Sequence, residues 1–144
     1  MVLPSHLAFE LVTPGRAIVR ERVDEVQIPG SQGYLGVLPG HTPLLTTLQV
    51  GELCFRQGDE MYYVSIAFGF AEILPDRVTV LAQIAERAED VDVSRAQQAQ
   101  RRARERLVKL ESAIDFERAR IALMKALTRL QVASRVREHP RVGL

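Results

Sequence analysis

The sequence has few of the features that cross-link small proteins or anchor them in membranes. It contains one cysteine, Cys54, and no tryptophan among 144 residues. A single cysteine excludes an internal disulfide and a cysteine-based structural zinc site. No stretch reaches the roughly 18 apolar residues of a membrane-spanning helix, and the N-terminus lacks a basic-then-apolar signal pattern. These absences predict a protein of a reducing, cytosolic compartment that does not insert into a membrane.

Net charge is also small, because 19 basic and 18 acidic side chains leave only +1. The average conceals two unlike parts. Residues 1–88 carry six basic and ten acidic side chains, whereas residues 89–144 carry thirteen basic and eight acidic ones. Eight of the nine glycines and six of the seven prolines also lie in the first part. This shift predicts two domains, 1–88 and 89–144, with a boundary near residues 86–92.

The first domain consists of short apolar or alternating runs separated by turn residues. Gly58-Asp59 and Pro75-Asp76-Arg77 each lie between two such runs and are typical of hairpin turns. Successive strands without an intervening helical pattern predict an antiparallel sandwich or barrel. We expect strands at 7–13, 17–19, 23–29, 52–56, 61–66, 70–74 and 78–84.

The segment 33–45 stands apart, because it holds three glycines and two prolines in thirteen residues. Proline cannot donate a hydrogen bond to a sheet. The segment is therefore predicted to be a rigid, irregular connection rather than a central strand, with His41 capping a turn.

Patterns that carry chemistry are absent. The histidines His6, His41 and His139 have no cysteine or carboxylate at metal-ligand spacing, no glycine-rich loop fits a phosphate, and no serine lies in a nucleophile elbow. Cys54 alternates with its apolar neighbours in a strand, so we expect a buried small side chain. The sequence predicts no catalytic residue, no metal site and no required cofactor.

The second domain has two helical patterns with alanine-rich seams. Asp92 is a suitable N-cap for the first helix. Residues 111–114 leave room only for a turn, which predicts an antiparallel hairpin. Alanine buries little area, so the hairpin should be weakly held and mobile. The seam positions are Ala96, Ala99, Ala103, Leu107 and Leu110 in the first helix and Ala119, Leu123, Ala126, Leu130 and Ala133 in the second.

The predicted fold class is α+β, with an N-terminal antiparallel β-sandwich followed by a C-terminal antiparallel two-helix hairpin. Away from their seams both helices are basic. Seventeen arginines against two lysines favour forked recognition of carboxylates or phosphates. On these residues alone, a solvated helix face and a surface for an anionic partner stay equally open.

Two segments carry a resemblance to a known family. Residues 38–45 read LPGHTPLL, and residues 78–92 read VTVLAQIAERAEDVD. In this order they resemble the corner, last strand and inter-domain junction of the epsilon subunit of F-type ATP synthases. The match runs over nearly the whole chain.

The resemblance implies a non-catalytic rotor subunit of a proton-translocating ATP synthase. In that family the sandwich lies against the gamma subunit and the c-ring, and the hairpin either folds down or extends toward the catalytic head, where it hinders ATP hydrolysis. It implies that the hairpin's anionic target is the acidic loop of the beta subunits. The gamma or c-ring contacts implied here are Tyr34, Pro39, Gly40 and His41.

The resemblance also implies a location. Such a subunit is a peripheral protein on the cytoplasmic face of the bacterial plasma membrane. The lack of an arginine- and serine-rich leader favours a bacterial protein over an imported organellar one.

A third segment, residues 114–119 with the sequence IDFERA, is similar to the motif of epsilon subunits that bind ATP without hydrolysing it. The resemblance implies ATP as a regulatory ligand that favours the folded-down hairpin. The alternative role for Asp115 is a helix N-cap with a local ion pair to Arg118. The implied site, called here the nucleotide set, comprises Glu86, Val91, Asp92, Arg95, Ala96, Arg102, Asp115, Arg118, Lys125 and Arg129.

Three positions depart from the family pattern. Lys125 replaces an arginine, which keeps the charge but loses the fork. Phe68 stands where the family usually has a glycine, and Tyr34 stands where some members carry an acid. These departures leave the resemblance intact.

The alternative function is a free-standing module that binds nucleic acid or an acidic protein through the basic hairpin. Phe116 is the one aromatic residue of the second domain. Single-stranded nucleic acids usually bind on several aromatic platforms. The sequence therefore disfavours a nucleic-acid partner.

Overall fold

The computed structural model of the chain describes residues 3–109 and 112–138. Leu110 and His139, both named in the sequence analysis, and residue 111 of the predicted turn lie outside the described residues. Within them the chain forms eight strands, a 3₁₀ turn at Ala88–Asp90 and two α-helices. The elements are β1 (Leu7–Val12), β2 (Ala17–Val23), β3 (Glu25–Gly30), β4 (Gly33–Val37), β5 (Leu44–Leu48), β6 (Gly51–Gln57), β7 (Glu60–Leu74), β8 (Arg77–Arg87), α1 (Val93–Val108) and α2 (Ala113–Glu138).

The strands form a sandwich that closes on one apolar core. Their order is β2-β1-β8-β7-β5-β3-β4, and β6 pairs with both β3 and β7. Buried side chains alternate along β1, where Leu7, Phe9 and Leu11 are almost fully enclosed. The Phe9 and Phe55 rings lie 5.3 Å apart at the centre. Every residue of this core cluster falls between residues 7 and 85, so the described residues of the two helices are not part of it.

The predicted α+β class, a sandwich followed by a helical hairpin, is confirmed. Both predicted hairpin turns are present: Gly58-Asp59 joins β6 to β7 with Gly58 at φ +60°, and Pro75-Asp76 joins β7 to β8. Among the strand pairs described, β1 and β8 are parallel and the others are antiparallel. The parallel pair was not predicted, because β1 and β8 open and close the domain and no local turn sets their direction.

The prediction of an irregular connection across residues 33–45 is wrong at both ends. Gly33–Val37 forms β4, and β5 begins at Leu44. Only residues 38–43, which include both prolines, lie between the strands. Because β4 is at the end of the strand order, it needs hydrogen-bond partners only on its β3 side.

β7 is one strand of 15 residues, where two separate strands were expected. It bends at Phe68-Gly69, whose φ angles are +62° and +130°. At this bend its partner changes from β6 to β5. A Cβ atom on Gly69 would lie 2.0 Å from the Leu81 carbonyl oxygen, so only glycine fits there.

The helices begin at defined caps. The Asp92 carboxylate accepts a hydrogen bond from the Arg95 backbone N–H at 3.1 Å, as predicted. For α2 the cap is Ser112, whose hydroxyl accepts from the Asp115 backbone N–H at 3.1 Å. Asp115 therefore lies in the first turn of α2 and is not its N-cap, so that alternative is wrong. The turn also ends earlier than predicted, since α2 starts at Ala113.

The two helices pack through small side chains. Four seam alanines are at most 1% exposed, whereas the larger Leu107, Leu123 and Leu130 are only half-buried. Neither helix, over the described residues, has the length and apolarity needed to cross a membrane. The buried seam alanines are Ala96, Ala103, Ala119 and Ala126.

Candidate functional site

Helix α2 lies on the outer face of the sandwich, against β6, β7 and the 3₁₀ turn. On β6, Leu53 and Phe55 point into the core, so the intervening Cys54 points outward. Cys54 is nevertheless only 6% exposed, and Ser65 on neighbouring β7 is equally enclosed. The hairpin is thus folded down, and it encloses polar side chains that the sandwich alone leaves open.

Three cationic side chains of α2, Lys125, Arg129 and Arg135, contact this outer face. The first contact joins Arg129 to Glu86, and both belong to the nucleotide set. Arg129 Nε lies 3.0 Å and 3.3 Å from the two carboxylate oxygens of Glu86, and Arg129 Nη2 lies 3.0 Å from Oε1. Both side chains are less than 30% exposed. A forked, half-buried pair of this kind is screened less than a surface pair, which typically contributes about 0–1 kcal/mol.

The second contact joins two of the positions that depart from the family pattern. Lys125 Nζ lies 5.6 Å from the centre of the Phe68 ring, within the range of a cation–π interaction. Phe68 is the one non-glycine residue with a positive φ among those described. Its backbone conformation favours glycine, so the contact with α2 helps to offset the strain.

The third contact is made by Arg135, near the end of α2. Its Nε and Nη2 atoms lie 3.2 Å and 3.1 Å from the two oxygens of Glu52. Its guanidinium carbon also lies 5.2 Å from the centre of the Tyr63 ring. Sequence analysis missed these three residues, although the acidic first domain and basic second domain indicated attraction between the two.

The remaining nucleotide-set residues are divided among the junction, the exposed face of α1 and the start of α2. Val91, Asp92 and Ala96 lie at the junction with the sandwich, where Ala96 is buried and Val91 half-buried. Arg95 and Arg102 are exposed on α1, and Asp115 and Arg118 are exposed at the start of α2. Among the described residues Asp115 and Arg118 form no ion pair; Glu117 and Arg120 pair instead, at 2.9 Å.

The residues expected to face gamma or the c-ring lie on β4 and the corner after it. Tyr34 is 60% exposed, and its hydroxyl accepts a hydrogen bond from the Glu52 backbone N–H at 3.2 Å. His41 is half-buried, and its Nδ1 donates to the Thr42 carbonyl at 2.6 Å. Pro39 is half-buried, and the Gly40 N–H donates to the Pro75 carbonyl at 2.7 Å.

An exposed apolar patch lies on the same outer face, on the side of the β7 bend that α2 does not cover. Phe70 and Leu81 face each other across β7 and β8 and are 56% and 52% exposed. Leu45 on neighbouring β5 is 71% exposed. Sequence analysis placed Phe70 and Leu81 in strands and Leu45 at the end of the irregular segment, and it did not identify them as an exposed patch. Clustered exposed apolar side chains mark interaction surfaces.

No grouping of three or more potential metal ligands occurs within the described ranges. An open groove of about 350 Å³ lies along β1 and β2 between Glu10, Arg20 and Arg77. None of the nucleotide set lines this groove.

Comparison with known proteins assigns the chain to a family. Residues 6–88 match the model described as the beta-sandwich domain of the ATP synthase Delta/Epsilon chain, and residues 89–134 match its long alpha-helix domain. The chain belongs to this family. It is therefore an epsilon-type, non-catalytic subunit of the rotary ATP synthase.

Individual relatives agree along most of the chain. The ATP synthase epsilon chain 2 of Syntrophotalea carbinolica is 47% identical over 134 residues, which covers 92% of this chain and 97% of that one. The epsilon chain of Koribacter versatilis is 52% identical over 99 residues, covering 69% and 70% of the two chains. A chain in the Euglena gracilis mitochondrial ATP synthase has the same fold, with a TM-score of 0.80 at 23% identity over 93% of this chain and 84% of that one.

Proposed function

We propose that the chain is a rotor subunit of the central stalk, coupling the catalytic head to the c-ring of a proton-translocating ATP synthase. Family membership over both domains carries the proposal. The similar Euglena chain comes from an assembly whose description names F1 and the c-ring. The complex would place this chain on the cytoplasmic face of the bacterial plasma membrane as a peripheral protein.

In this proposal the exposed patch of Leu45, Phe70 and Leu81 binds the gamma subunit. The patch is apolar, lies on rigid strands and is not covered by the hairpin. The corner that contains Pro39, Gly40 and His41, together with Tyr34, faces the c-ring or the adjoining part of gamma. Phe70 and Leu81 are each about half exposed, so burying the rest of each side chain stabilises such a contact by about 1 kcal/mol.

Binding to gamma is tested with the full chain and a cognate gamma subunit. We expect the wild type to co-purify with gamma, and Phe70→Asp or Leu81→Asp to reduce the retained fraction at least tenfold. Ala17→Asp, on the exposed edge strand β2, is the matched control and should bind like the wild type. Failure of the wild type to bind gamma would overturn the stalk assignment.

The hairpin is proposed to inhibit ATP hydrolysis when it leaves the sandwich. Arginines cover its outward faces, and forked guanidinium groups suit the carboxylates of the acidic loop of the beta subunits. The contacts of Lys125 and Arg129 would be exchanged for contacts with the catalytic head. No nucleic-acid partner and no insertion into the membrane are part of this proposal.

ATP is proposed as a regulatory ligand that favours the folded-down hairpin without being hydrolysed. The pair Glu86–Arg129 joins β8 to α2 within the nucleotide set, so a ligand bound there contacts both domains. Its differential affinity for the docked state would shift the hairpin equilibrium. Arg95 and Arg102 are exposed and available to phosphate oxygens.

ATP binding is tested by thermal unfolding of the full chain with and without the nucleotide. A ligand at 100 times its Kd stabilises the native state by about 2.7 kcal/mol, so the wild type should melt at a clearly higher temperature with ATP. Arg129→Ala should lose this shift. Arg102→Ala should lose most of it too, although Arg102 is exposed and far along α1 from the Asp92 cap.

The control is Arg120→Ala, which removes an exposed arginine of α2 outside the nucleotide set. It should retain the full ATP shift. The absence of any ATP response in the wild type would overturn the nucleotide site and leave the stalk assignment standing.

A further inference from the structure

We infer that Glu52, Tyr63 and Arg135 form a latch that holds the C-terminal half of α2 on the sandwich independently of the nucleotide set. This inference rests on the proposed function in one respect, because it assumes a hairpin that leaves the sandwich. The latch stabilises the docked hairpin by a second contact that does not depend on a bound ligand.

The geometry is that of a specific contact and not of a chance surface pair. Arg135 presents a fork to Glu52, with N–O distances of 3.2 and 3.1 Å, while the same guanidinium stacks near the Tyr63 ring. The Glu52 side chain is only 12% exposed, so removing Arg135 would leave a poorly solvated carboxylate. Forked pairing and ring stacking together require arginine at this position.

The sandwich holds its two latch residues rigidly. Glu52 pairs with Ser65 across β6 and β7, and Tyr63 pairs with Cys54 two residues along the same strands. Both therefore project from adjacent strands toward α2. Val132, one turn before Arg135, is fully buried and anchors the helix at the same place.

The latch is distinct from the Glu86–Arg129 pair. Arg135 follows Arg129 by six residues, which corresponds to about 9 Å along a helix. None of the three latch residues belongs to the nucleotide set. Rearrangement of Glu86 and Arg129 around a ligand would consequently leave the latch closed, and the hairpin leaves only when both contacts break.

The chain contains its own reporter of this opening. Cys54 is the sole cysteine of the sequence, lies directly opposite Tyr63 and two residues after Glu52, and is 6% exposed. Burial raises the pKa of the Cys54 thiol to about 11, the charges of Glu52 and Glu25 add to the rise, and the charge of Arg135 opposes it. At pH 8 about one such thiol in a thousand is ionised, whereas an exposed cysteine reacts readily.

The test measures the rate at which an aromatic disulfide reagent labels Cys54 in the full chain at pH 8. Arg135→Ala should label about tenfold faster than the wild type, since a hydrogen-bonded ion pair of this size shifts the docking equilibrium by about that factor. Tyr63→Leu should accelerate labelling by a smaller factor. Arg120→Ala, an exposed arginine on the same helix, should label like the wild type.

The global unfolding rate, measured by circular dichroism after a urea jump, separates the possible failures. If Cys54 labels faster than unfolding but equally in the wild type and Arg135→Ala, the latch is overturned and the movable hairpin stands. If every variant labels at its global unfolding rate, the hairpin does not open separately, and both the latch and the movable arm are overturned. ATP should still raise the melting temperature of Arg135→Ala, because a latch outside the nucleotide set leaves the ligand contacts in place.

Discussion

At the scale of single residues, Asp24 connects three separate parts of the sandwich. Its carboxylate accepts a hydrogen bond from the Gly58 backbone N–H at 2.7 Å, lies 2.9 Å from His6 Nδ1 and lies 3.6 Å from Arg56 Nη1. The Gly58 N–H is the main reason that the pKa of Asp24 falls below its ordinary value of 3.8. Asp24 thereby ties the start of β1 to the β6–β7 hairpin.

Asp24→Asn should destabilise the protein in a pH-dependent way. A carboxyl whose pKa is lower in the folded state stabilises that state fully above the unfolded pKa, near 3.9, and loses the contribution as the pH falls through the folded pKa. We therefore expect a lower urea midpoint than wild type at pH 7 and a smaller difference near pH 3. Asp59→Asn, an exposed position next to Gly58, is the control and should have the urea midpoint of the wild type at pH 7. Equal differences at both pH values for Asp24→Asn would contradict the role.

For Phe68, the sequence predicted an unusual residue type but not its conformation or its contact. The residue type was noted as a departure from the family, as was Lys125. Neither its φ of +62° nor its contact with Lys125 could be inferred from the chain, because the two positions are 57 residues apart and meet only when α2 docks. The candidate site was thus predicted residue by residue, but its pairing was not.

At the scale of elements, the hairpin turns and the first helix cap, which depend on adjacent residues, were predicted correctly. Element boundaries that depend on tertiary contacts were not. Both hairpin turns and the Asp92 cap follow from nearest-neighbour chemistry, and all three are confirmed. The start of α2 was misplaced by two residues because Ser112 and Asp115 both make acceptable caps, and the chosen one depends on where the chain enters the helix.

Two strands escaped prediction for different reasons. β4 forms a local hairpin with β3 through the turn at Ser31-Gln32, which the sequence analysis did not recognise, whereas β5 forms because the more distant β7 offers hydrogen-bond partners. The parallel pairing of β1 with β8 joins residues about 70 positions apart. Hydrophobic alternation gives the buried face of a strand but not its neighbour.

At the scale of the whole molecule, the sandwich should fold without the hairpin. All core-cluster residues lie between 7 and 85, and the buried seam alanines of the described helices are not part of that cluster. A chain ending at residue 88 should therefore unfold cooperatively in urea, as a single domain does. The domain boundary itself remains a prediction until this fragment is made.

The control for that experiment is built into the fragment. Without α2, Cys54 should be exposed and label at the rate of a free thiol, while far-ultraviolet circular dichroism retains its β-sheet signal. A fragment that lacks cooperative unfolding would contradict the prediction and would make the hairpin part of one folding unit.

The sequence by itself determined the α+β class, the acidic sandwich and basic hairpin, the hairpin turns and the family, because these depend on local propensity, alternation and motif order. Only the tertiary structure decided which opposite charges meet. Glu52 and Glu86 are two of many acids in the first domain, and Arg129 and Arg135 are two of many arginines in the second. Their pairing is set by the position of α2 on the bent β7 strand. Because these two ion pairs are partly buried and forked, each contributes more to stability than an exposed ion pair at the surface.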